Sequence, residues 1–156
     1  MKRIALLGST GSIGTQALDV ISRHPDEFSG EVLTAHNNAD LLIEQAIHFN
    51  PNVVVISNPD KYEDVSKALE PHMIKVFTGS ESLNDVVEMK SVDMVLGALV
   101  GYAGLAPVIN AIKHDKIIAL ANKEVLVVAG QLVNKLLKEH PKSGSVPVDS
   151  EHSAIF

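Results

Sequence analysis

The chain has 156 residues, of which 46% are hydrophobic and 21% are charged, a balance typical of one ordinary globular domain. Its 13 basic and 19 acidic residues give a net charge of −6, which argues against broad nucleic-acid binding and against a basic membrane patch. Cysteine is absent, which excludes disulfide frameworks, thiolate zinc sites and cysteine nucleophiles and fits a reducing cytoplasm. The apolar runs are too short for a membrane span or a signal peptide.

Short apolar runs alternate with helical periods along the whole chain. Strands are predicted at residues 4–7, 31–36, 53–56, 74–77, 93–96, 117–120 and 146–148. Helices are predicted at residues 13–21, 42–47, 60–70, 81–89 and 124–139, and a further helix follows the loop at residues 97–104 and ends near residue 114. Pro71 is predicted to end the third helix, and Ser80 is predicted to be the N-cap of the fourth. Near-continuous apolar strands separated by helices indicate a parallel sheet covered on both faces. We therefore expect a single α/β domain, doubly wound and of the Rossmann type.

A glycine-rich turn follows the first predicted strand and opens the first helix. Gly8, Gly11 and Gly14 give the spacing G-x-x-G-x-x-G, a variant of the dinucleotide-binding fingerprint. In that motif the glycines permit a tight turn, a close approach to a pyrophosphate and close helix–strand packing. The free N–H groups at the start of the helix then bind the anion. A tight turn without a ligand is the alternative, but three glycines would then lower the stability of the helix and strand with no functional gain.

The end of the second predicted strand bears on the choice between NAD and NADP. An acidic residue there would bind the ribose 2′-hydroxyl of NAD, but none occurs before Asp40. His36, Asn37 and Asn38 stand at this place instead and could bind a 2′-phosphate through hydrogen bonds. The pattern favours NADP, with an ordinary polar loop as the alternative.

Two further loops follow strands five and six. The loop at residues 97–104 is rich in small residues, which would let the backbone approach a cofactor, although simple helix–sheet packing would explain them as well. Lys123 follows the sixth strand between Asn122 and Glu124 and is a candidate substrate contact. On its own, this group fits a polar helix start better.

Asp149 and Glu151 follow the last predicted strand. Residues i and i+2 of an extended segment point the same way, so both carboxylates could bind one hard divalent cation. From spacing alone, two solvated acids are the simpler interpretation. Residues 149–156 look like the beginning of another element, which suggests that the chain is the N-terminal part of a longer protein.

The glycine turn, the Ala121-Asn122-Lys123-Glu124 block and the segment from Pro147 to Phe156 occur in one chain and in this order. With a fourth block at residues 101–107, they closely resemble the 1-deoxy-D-xylulose 5-phosphate reductoisomerase family. The resemblance runs along essentially the whole chain and corresponds to the N-terminal, NADPH-binding part of that family. It implies an NADPH-binding domain at residues 1–148 and the start of a metal- and substrate-binding region at residues 149–156.

The resemblance also implies residue roles. The positions that match cofactor contacts of the family are Thr10, Gly11, Ser12, Ile13, His36, Asn37, Asn38, Asn122 and Glu124. The positions that match substrate contacts are Lys123, Ser150 and Glu151. Asp149 and Glu151 match two of three carboxylates that bind Mn²⁺, Mg²⁺ or Co²⁺. The family's 2′-phosphate loop often carries glycine and then a basic residue, whereas here those places hold His36 and Asn37.

The family reaction isomerises 1-deoxy-D-xylulose 5-phosphate and reduces it with NADPH to 2-C-methyl-D-erythritol 4-phosphate. The resemblance implies a homodimer for the complete enzyme, and it places the third metal ligand and the substrate-phosphate site beyond residue 156. We therefore expect the chain alone to be inactive. A free-standing dinucleotide-sensing module is an alternative, as is another NADP-dependent oxidoreductase, but neither explains all of the motifs.

Overall fold

The computed structural model describes residues 1–121 and 123–147, and the side chains of residues 123 and 147 lie outside that description. The strands are β1 (Lys2–Leu7), β2 (Phe28–Ala35), β3 (Val53–Ile56), β4 (Lys75–Thr78), β5 (Met94–Gly97), β6 (Ile117–Leu120) and β7 (Ser145–Pro147). The α-helices are α1 (Ser12–Arg23), α2 (Ala39–Phe49), α3 (Tyr62–Leu69), α4 (Glu81–Glu88), α5 (Leu105–Lys113) and α6 (Lys123–Glu139). Within these ranges, strands and helices alternate as the sequence predicts.

All described strands form one parallel sheet in the order β4-β3-β2-β1-β5-β6-β7. The chain moves outward from β1 to β4, crosses back to β5 on the other side of β1, and moves outward again. Because each crossover is right-handed by rule, this reversal places the two sets of helices on opposite faces. The expected doubly wound Rossmann-type architecture is confirmed.

Two apolar clusters hold the sheet between its helices. Along β1, Ala5 and Leu7 belong to one cluster with residues of α4, α5 and α6, whereas Ile4 and Leu6 belong to the other with residues of α1, α2 and α3. Successive side chains of a strand point to opposite faces, so a strand covered on both faces must be apolar throughout. Across the described ranges, every helix is too short or too polar to cross a lipid bilayer.

Strand β2 begins three residues earlier than the sequence predicts. The pairing of β1 with β2 shifts between Ile4, which pairs with Gly30, and Ala5, which pairs with Val32. The irregularity passes over Glu31, so the strand continues through a polar residue and a glycine that the apolar pattern does not favour.

One local prediction at a helix end is wrong and another is confirmed. Ser80 is not a side-chain N-cap: its own backbone is already helical, with φ −67° and ψ −27°, and its side chain makes no capping hydrogen bond. The third helix ends before Pro71 as predicted, since α3 ends at Leu69 and a separate 3-10 turn at Glu70–His72 contains the proline. Proline is tolerated there because the first turn of a helix needs no N–H donor at that position. Helix α6 also bends, at Ala129, whose φ of −127° and ψ of 20° are not helical.

Candidate functional site

The reversal of strand order between β1 and β5 creates a crevice at their carboxyl ends. Doubly wound sheets bind ligands at this point because the loops leaving the two strands diverge to opposite faces. The loop from β1 is the glycine-rich turn at residues 8–14, and the loop from β5 is residues 98–104. The structure therefore places two segments selected by sequence side by side at the expected position.

The three glycines of the turn differ in what a side chain at each position would meet. Gly8 has a φ of +89°, and a Cβ there would lie 2.9 Å from the carbonyl oxygen of Ala98. A Cβ on Gly14 would lie 2.6 Å from the Cα of Ser9, so the helix could not pack against the turn. A Cβ on Gly11 would meet only the carbonyl oxygen of Gly8, at an ordinary 3.6 Å. The fold thus requires glycine at positions 8 and 14, whereas among the described residues nothing prevents a side chain at position 11.

The turn presents unpaired N–H groups at the start of α1. Among the described residues, the N–H groups of Thr10, Ser12 and Ile13 have no hydrogen-bond partner, whereas that of Gly11 donates to the Gly8 carbonyl at 3.3 Å. No acidic residue occupies the first turn of α1. The N-terminus of a helix carries a partial positive charge. This arrangement suits a phosphate or pyrophosphate.

The loop after β2 is held by the end of β3. The Nδ1 atom of His36 lies 3.0 Å from the Ser57 hydroxyl, and the Nδ2 atom of Asn58 donates to Oδ1 of Asn37 at 2.7 Å. Asn38 caps α2, because its Oδ1 accepts a hydrogen bond from the N–H of Leu41 at 3.2 Å. Sequence reasoning missed Ser57 and Asn58. Two polar residues directly after the four apolar residues of β3 were the available signal, since that strand ends at the same edge of the sheet.

An open cleft of about 700 Å³ adjoins this loop. Its lining residues include His36 and Ser57 on one side and Gly79, Leu99 and Tyr102 on the other. The volume is within the range of small-molecule sites, which are commonly about 300–1,000 Å³.

A smaller cleft of about 120 Å³ joins the glycine turn to the loop after β5. It is lined by Ile13, residues 98–100, Ala121 and Glu124. Within the neighbouring loop, Val100 is 87% exposed and Tyr102 is 68% exposed, although both are apolar or aromatic. Glu124, at the start of α6, thus lines the same cleft as Ile13.

Several residues selected by sequence lie outside the described part of the chain. They are Asn122, Asp149, Ser150 and Glu151, together with the side chain of Lys123. The backbone of Lys123 begins α6, directly after the carboxyl end of β6. In the part of the chain that the structure describes, no group of three acidic or histidine side chains is arranged to bind a metal ion.

Shifted pKa values occur at the opposite, amino-terminal edge of the sheet. A hydrogen bond from Arg3 holds the pKa of Asp93 below its ordinary value, and the same bond raises the pKa of Arg3. Burial lowers the pKa of Lys116, whose ammonium donates to the carbonyls of Met89 and Val92, both at 2.7 Å. These three shifted groups lie away from the candidate site, where the described geometry offers backbone N–H donors at the start of α1.

Comparison with known proteins identifies relatives of the chain. The family model described as 1-deoxy-D-xylulose 5-phosphate reductoisomerase matches residues 4–130. The reductoisomerase of Phocaeicola vulgatus is 56% identical over 155 residues, which cover 99% of this chain and 40% of the relative. The reductoisomerase of Porphyromonas gingivalis is 54% identical over 155 residues, which again cover 99% of this chain and 40% of the relative. The chain thus spans about 40% of the length of these relatives.

Solved structures give the same result. The reductoisomerase of Zymomonas mobilis, in complex with NADPH, superposes with a TM-score of 0.92 at 39% identity and covers 99% of this chain and 40% of that one. A second reductoisomerase, in complex with NADPH, fosmidomycin and magnesium, also gives a TM-score of 0.92, at 38% identity, with 99% of this chain and 38% of that one covered. A homoserine dehydrogenase from Archaeoglobus fulgidus, at 17% identity and a TM-score of 0.58, shares the fold alone. The chain belongs to the 1-deoxy-D-xylulose 5-phosphate reductoisomerase family.

Proposed function

We propose that residues 1–148 form the NADPH-binding domain of a reductoisomerase and that residues 149–156 begin its metal- and substrate-binding region. The observation that carries the proposal is the glycine turn at the reversal of strand order. Its N–H groups at Thr10, Ser12 and Ile13 lack partners among the described residues, and Gly11 leaves space beside them. A solved relative that superposes on 99% of the chain is a complex with NADPH.

The pyrophosphate of NADPH would bind at Thr10, Gly11, Ser12 and Ile13. The backbone N–H groups supply directed donors at a helix N-terminus, and no side-chain charge is needed. Anions bind such sites with fixed geometry because the donors belong to a folded turn. The dinucleotide would then extend in both directions from this turn along the carboxyl edge of the sheet.

The 2′-phosphate would bind at His36, Asn37 and Asn38. Asn38 uses its Oδ1 to cap α2, which leaves its Nδ2 as a donor for an anion. His36 uses Nδ1 toward Ser57, which leaves Nε2 as its second ring nitrogen. Hydrogen bonds from neutral groups are weaker than those from arginine or lysine. We therefore expect NADPH to be preferred over NADH by a smaller factor than a basic residue would give.

The opposite end of the cofactor would meet Asn122 and Glu124, and the substrate would meet Lys123, Ser150 and Glu151. Asp149 and Glu151 supply oxygen ligands of the kind that Mg²⁺ and Mn²⁺ prefer. A solved relative that contains magnesium together with NADPH and fosmidomycin supports this assignment. When bound, NADPH supplies the hydride that the reduction requires.

The complete enzyme would convert 1-deoxy-D-xylulose 5-phosphate to 2-C-methyl-D-erythritol 4-phosphate as a homodimer in the cytoplasm. The chain spans about 40% of its curated relatives. We infer that the 156-residue chain binds NADPH and does not turn over the substrate, because the third metal carboxylate and the substrate-phosphate site of the family would come from outside it.

Calorimetric titration of the 156-residue chain with NADPH and with NADH tests this function. We expect NADPH to bind and NADH to bind more weakly. Equal binding would remove the 2′-phosphate role of residues 36–38, and absence of binding to either would contradict the cofactor role. Incubation with 1-deoxy-D-xylulose 5-phosphate, NADPH and Mg²⁺ should leave the absorbance of NADPH unchanged, and steady oxidation would show that the chain is active by itself.

A further inference from the structure

The glycine turn is fixed from behind by a buried polar network that the cofactor assignment does not use. Ser9 is fully buried, and its hydroxyl lies 2.7 Å from Oε1 of Gln45. The Nε2 atom of Gln45 donates to the carbonyl of Ser9 at 2.9 Å. Gln45, in α2, is only 7% exposed. One side chain from another helix therefore makes two hydrogen bonds to the same residue of the turn.

Strand β2 completes the network. The N–H of Ser9 donates to the carbonyl of Thr34 at 2.8 Å, and the N–H of Gly8 donates to the Thr34 hydroxyl at 2.9 Å. The Ser9 hydroxyl also lies 3.2 Å from the Thr34 carbonyl, but it has one proton, and the shorter contact to Gln45 takes it. Both N–H groups of the Gly8-Ser9 pair are thus satisfied inside the protein.

The orientation of the Gln45 amide follows from this network. The reversed amide would place an oxygen against the Ser9 carbonyl oxygen, where no proton is available. A glutamine that is buried on the apolar side of α2 would be costly without these bonds. Its two bonds offset that cost and link α2 to the turn.

Helix α2 also begins at the loop assigned to the 2′-phosphate, because Asn38 is its N-cap. The same helix therefore touches both candidate phosphate sites, through Asn38 at its start and through Gln45 two turns later. A rigid helix of this kind fixes the spacing between two sites that one dinucleotide must bridge.

We propose that Gln45 is a positioning residue for dinucleotide binding. Its side-chain amide holds the peptide and hydroxyl of Ser9, so that the following unpaired N–H groups of the turn keep the geometry that a pyrophosphate needs. This inference rests on the proposed NADPH site and adds to it a residue that does not touch the cofactor.

The test compares two ligands in the 156-residue chain and in its Gln45→Leu variant. NADPH uses both phosphate sites, whereas adenosine 2′-monophosphate carries only the 2′-phosphate. We expect Gln45→Leu to weaken NADPH binding about tenfold or more, as the loss of buried hydrogen bonds at a binding turn implies. The affinity for adenosine 2′-monophosphate should stay within about twofold.

Leu42→Val is the matched control. Leu42 lies in the same helix and is fully buried, but it makes no hydrogen bond to the turn. Its substitution should lower the melting temperature and leave both affinities unchanged. A purely structural role of Gln45 would make the two variants behave alike.

Gln45→Glu serves if Gln45→Leu does not fold. A carboxylate can still accept from the Ser9 hydroxyl but cannot donate to the Ser9 carbonyl, whereas the protonated acid can do both. NADPH binding by Gln45→Glu should therefore recover toward the wild-type value, measured at the same pH, as the pH is lowered.

The outcomes separate this inference from the function on which it rests. Wild-type binding of NADPH together with unchanged binding by a folded Gln45→Leu variant would overturn the role of Gln45 alone. An equal loss of affinity for both ligands would overturn it too, since the effect would not be confined to the pyrophosphate. Failure of the wild-type chain to bind NADPH would overturn the proposed function and this inference with it.

Discussion

At the amino-terminal edge of the sheet, charged side chains bond to other parts of the chain, whereas at the carboxyl edge several backbone N–H groups have no partner among the described residues. Arg3 and Asp93 form an ion pair with Nε and Oδ2 3.1 Å apart, joining the starts of β1 and β5. The Lys116 ammonium satisfies two carbonyls nearby. At the other ends of the same strands, Thr10 and Ile13 donate to no atom of the described residues.

The difference shows that shifted pKa values do not mark the candidate site. Such shifts often mark catalytic groups, and the amino edge also has a cleft of about 490 Å³ beside Asp93 and Lys116. Yet the hydrogen bonds of Asp93 and Lys116 join one part of the chain to another. A structural role therefore explains the shifted pKa values at the amino edge. At the carboxyl edge, backbone N–H groups without a partner among the described residues remain available to a ligand.

Gly14→Ala should have the largest effect on stability, because it disrupts the close packing of α1 against the glycine turn. The new Cβ would lie 2.6 Å from the Cα of Ser9, and backbone cannot yield as a flexible side chain can. Overpacking of this severity costs about 3 kcal/mol or more in the free energy of unfolding. Chemical denaturation measures it, with Gly144→Ala as the control because a Cβ there meets no atom within 4 Å. Equal stability of the two variants would contradict the close packing of α1 on the turn.

Gly11→Ala should separate binding from stability. The added methyl group makes one ordinary contact inside the protein, so the melting temperature should remain within about 2 °C of the wild-type value. The methyl group occupies the space assigned to the pyrophosphate, and NADPH affinity should fall about ten- to a hundredfold through weakened charge-assisted hydrogen bonds. Calorimetric titration measures the loss. Unchanged affinity would show that the ligand does not approach this glycine.

The sequence predicts the fold well because the apolar strands are nearly continuous. Residues 53–56 and 117–120 are predicted at the bounds observed, since each is a wholly apolar run that begins directly after a polar residue. The start of β2 could not be predicted, because an irregular pairing with β1 carries the strand across Glu31. The failed capping role of Ser80 depends on backbone angles that the sequence does not specify.

Only the parts of the candidate site that form one continuous segment of sequence could be predicted. The glycine turn is one continuous segment, so its dinucleotide-binding pattern can be recognised in the sequence. Gln45 is 36 residues away from Ser9 and lies between the apolar Leu42 and Ala46 of a predicted helix. A polar residue on an apolar helical side was the available signal, but its partner becomes visible only when α2 is packed against the turn.

Lys116→Met should lower stability without changing the carboxyl edge. The carbonyls of Met89 and Val92 would lose their donor, at a cost of about 1–3 kcal/mol in the free energy of unfolding. NADPH affinity should not change, because Lys116 lies at the opposite end of β6 from the site. Parallel denaturation and titration experiments check both statements, and a loss of affinity would mean that the two edges are coupled.

The same variant gives a pH dependence. Burial lowers the pKa of Lys116 in the folded chain, so between that pKa and the ordinary value of 10.5 the unfolded chain binds more protons. Wild-type stability should therefore rise relative to Lys116→Met as pH increases through this window. The neutral amine keeps two N–H donors for the two carbonyls. A flat difference between the two proteins would contradict the shift.

Asp93→Asn should have the smallest effect, because the ion pair with Arg3 is partly exposed and solvent screens it. The hydrogen bond from Arg3 lowers the folded-state pKa of Asp93, so the pair stabilises the chain above the ordinary carboxyl pKa and this stabilisation disappears as pH falls through the lowered value. We expect a decrease of at most about 4 °C in melting temperature at neutral pH, shrinking toward zero in acid. Thermal scans of both proteins across that range measure the difference. A decrease in melting temperature that persisted in acid would show that charge pairing does not hold this edge together. Asp93 would then act through packing or through its hydrogen bond from the Arg3 N–H.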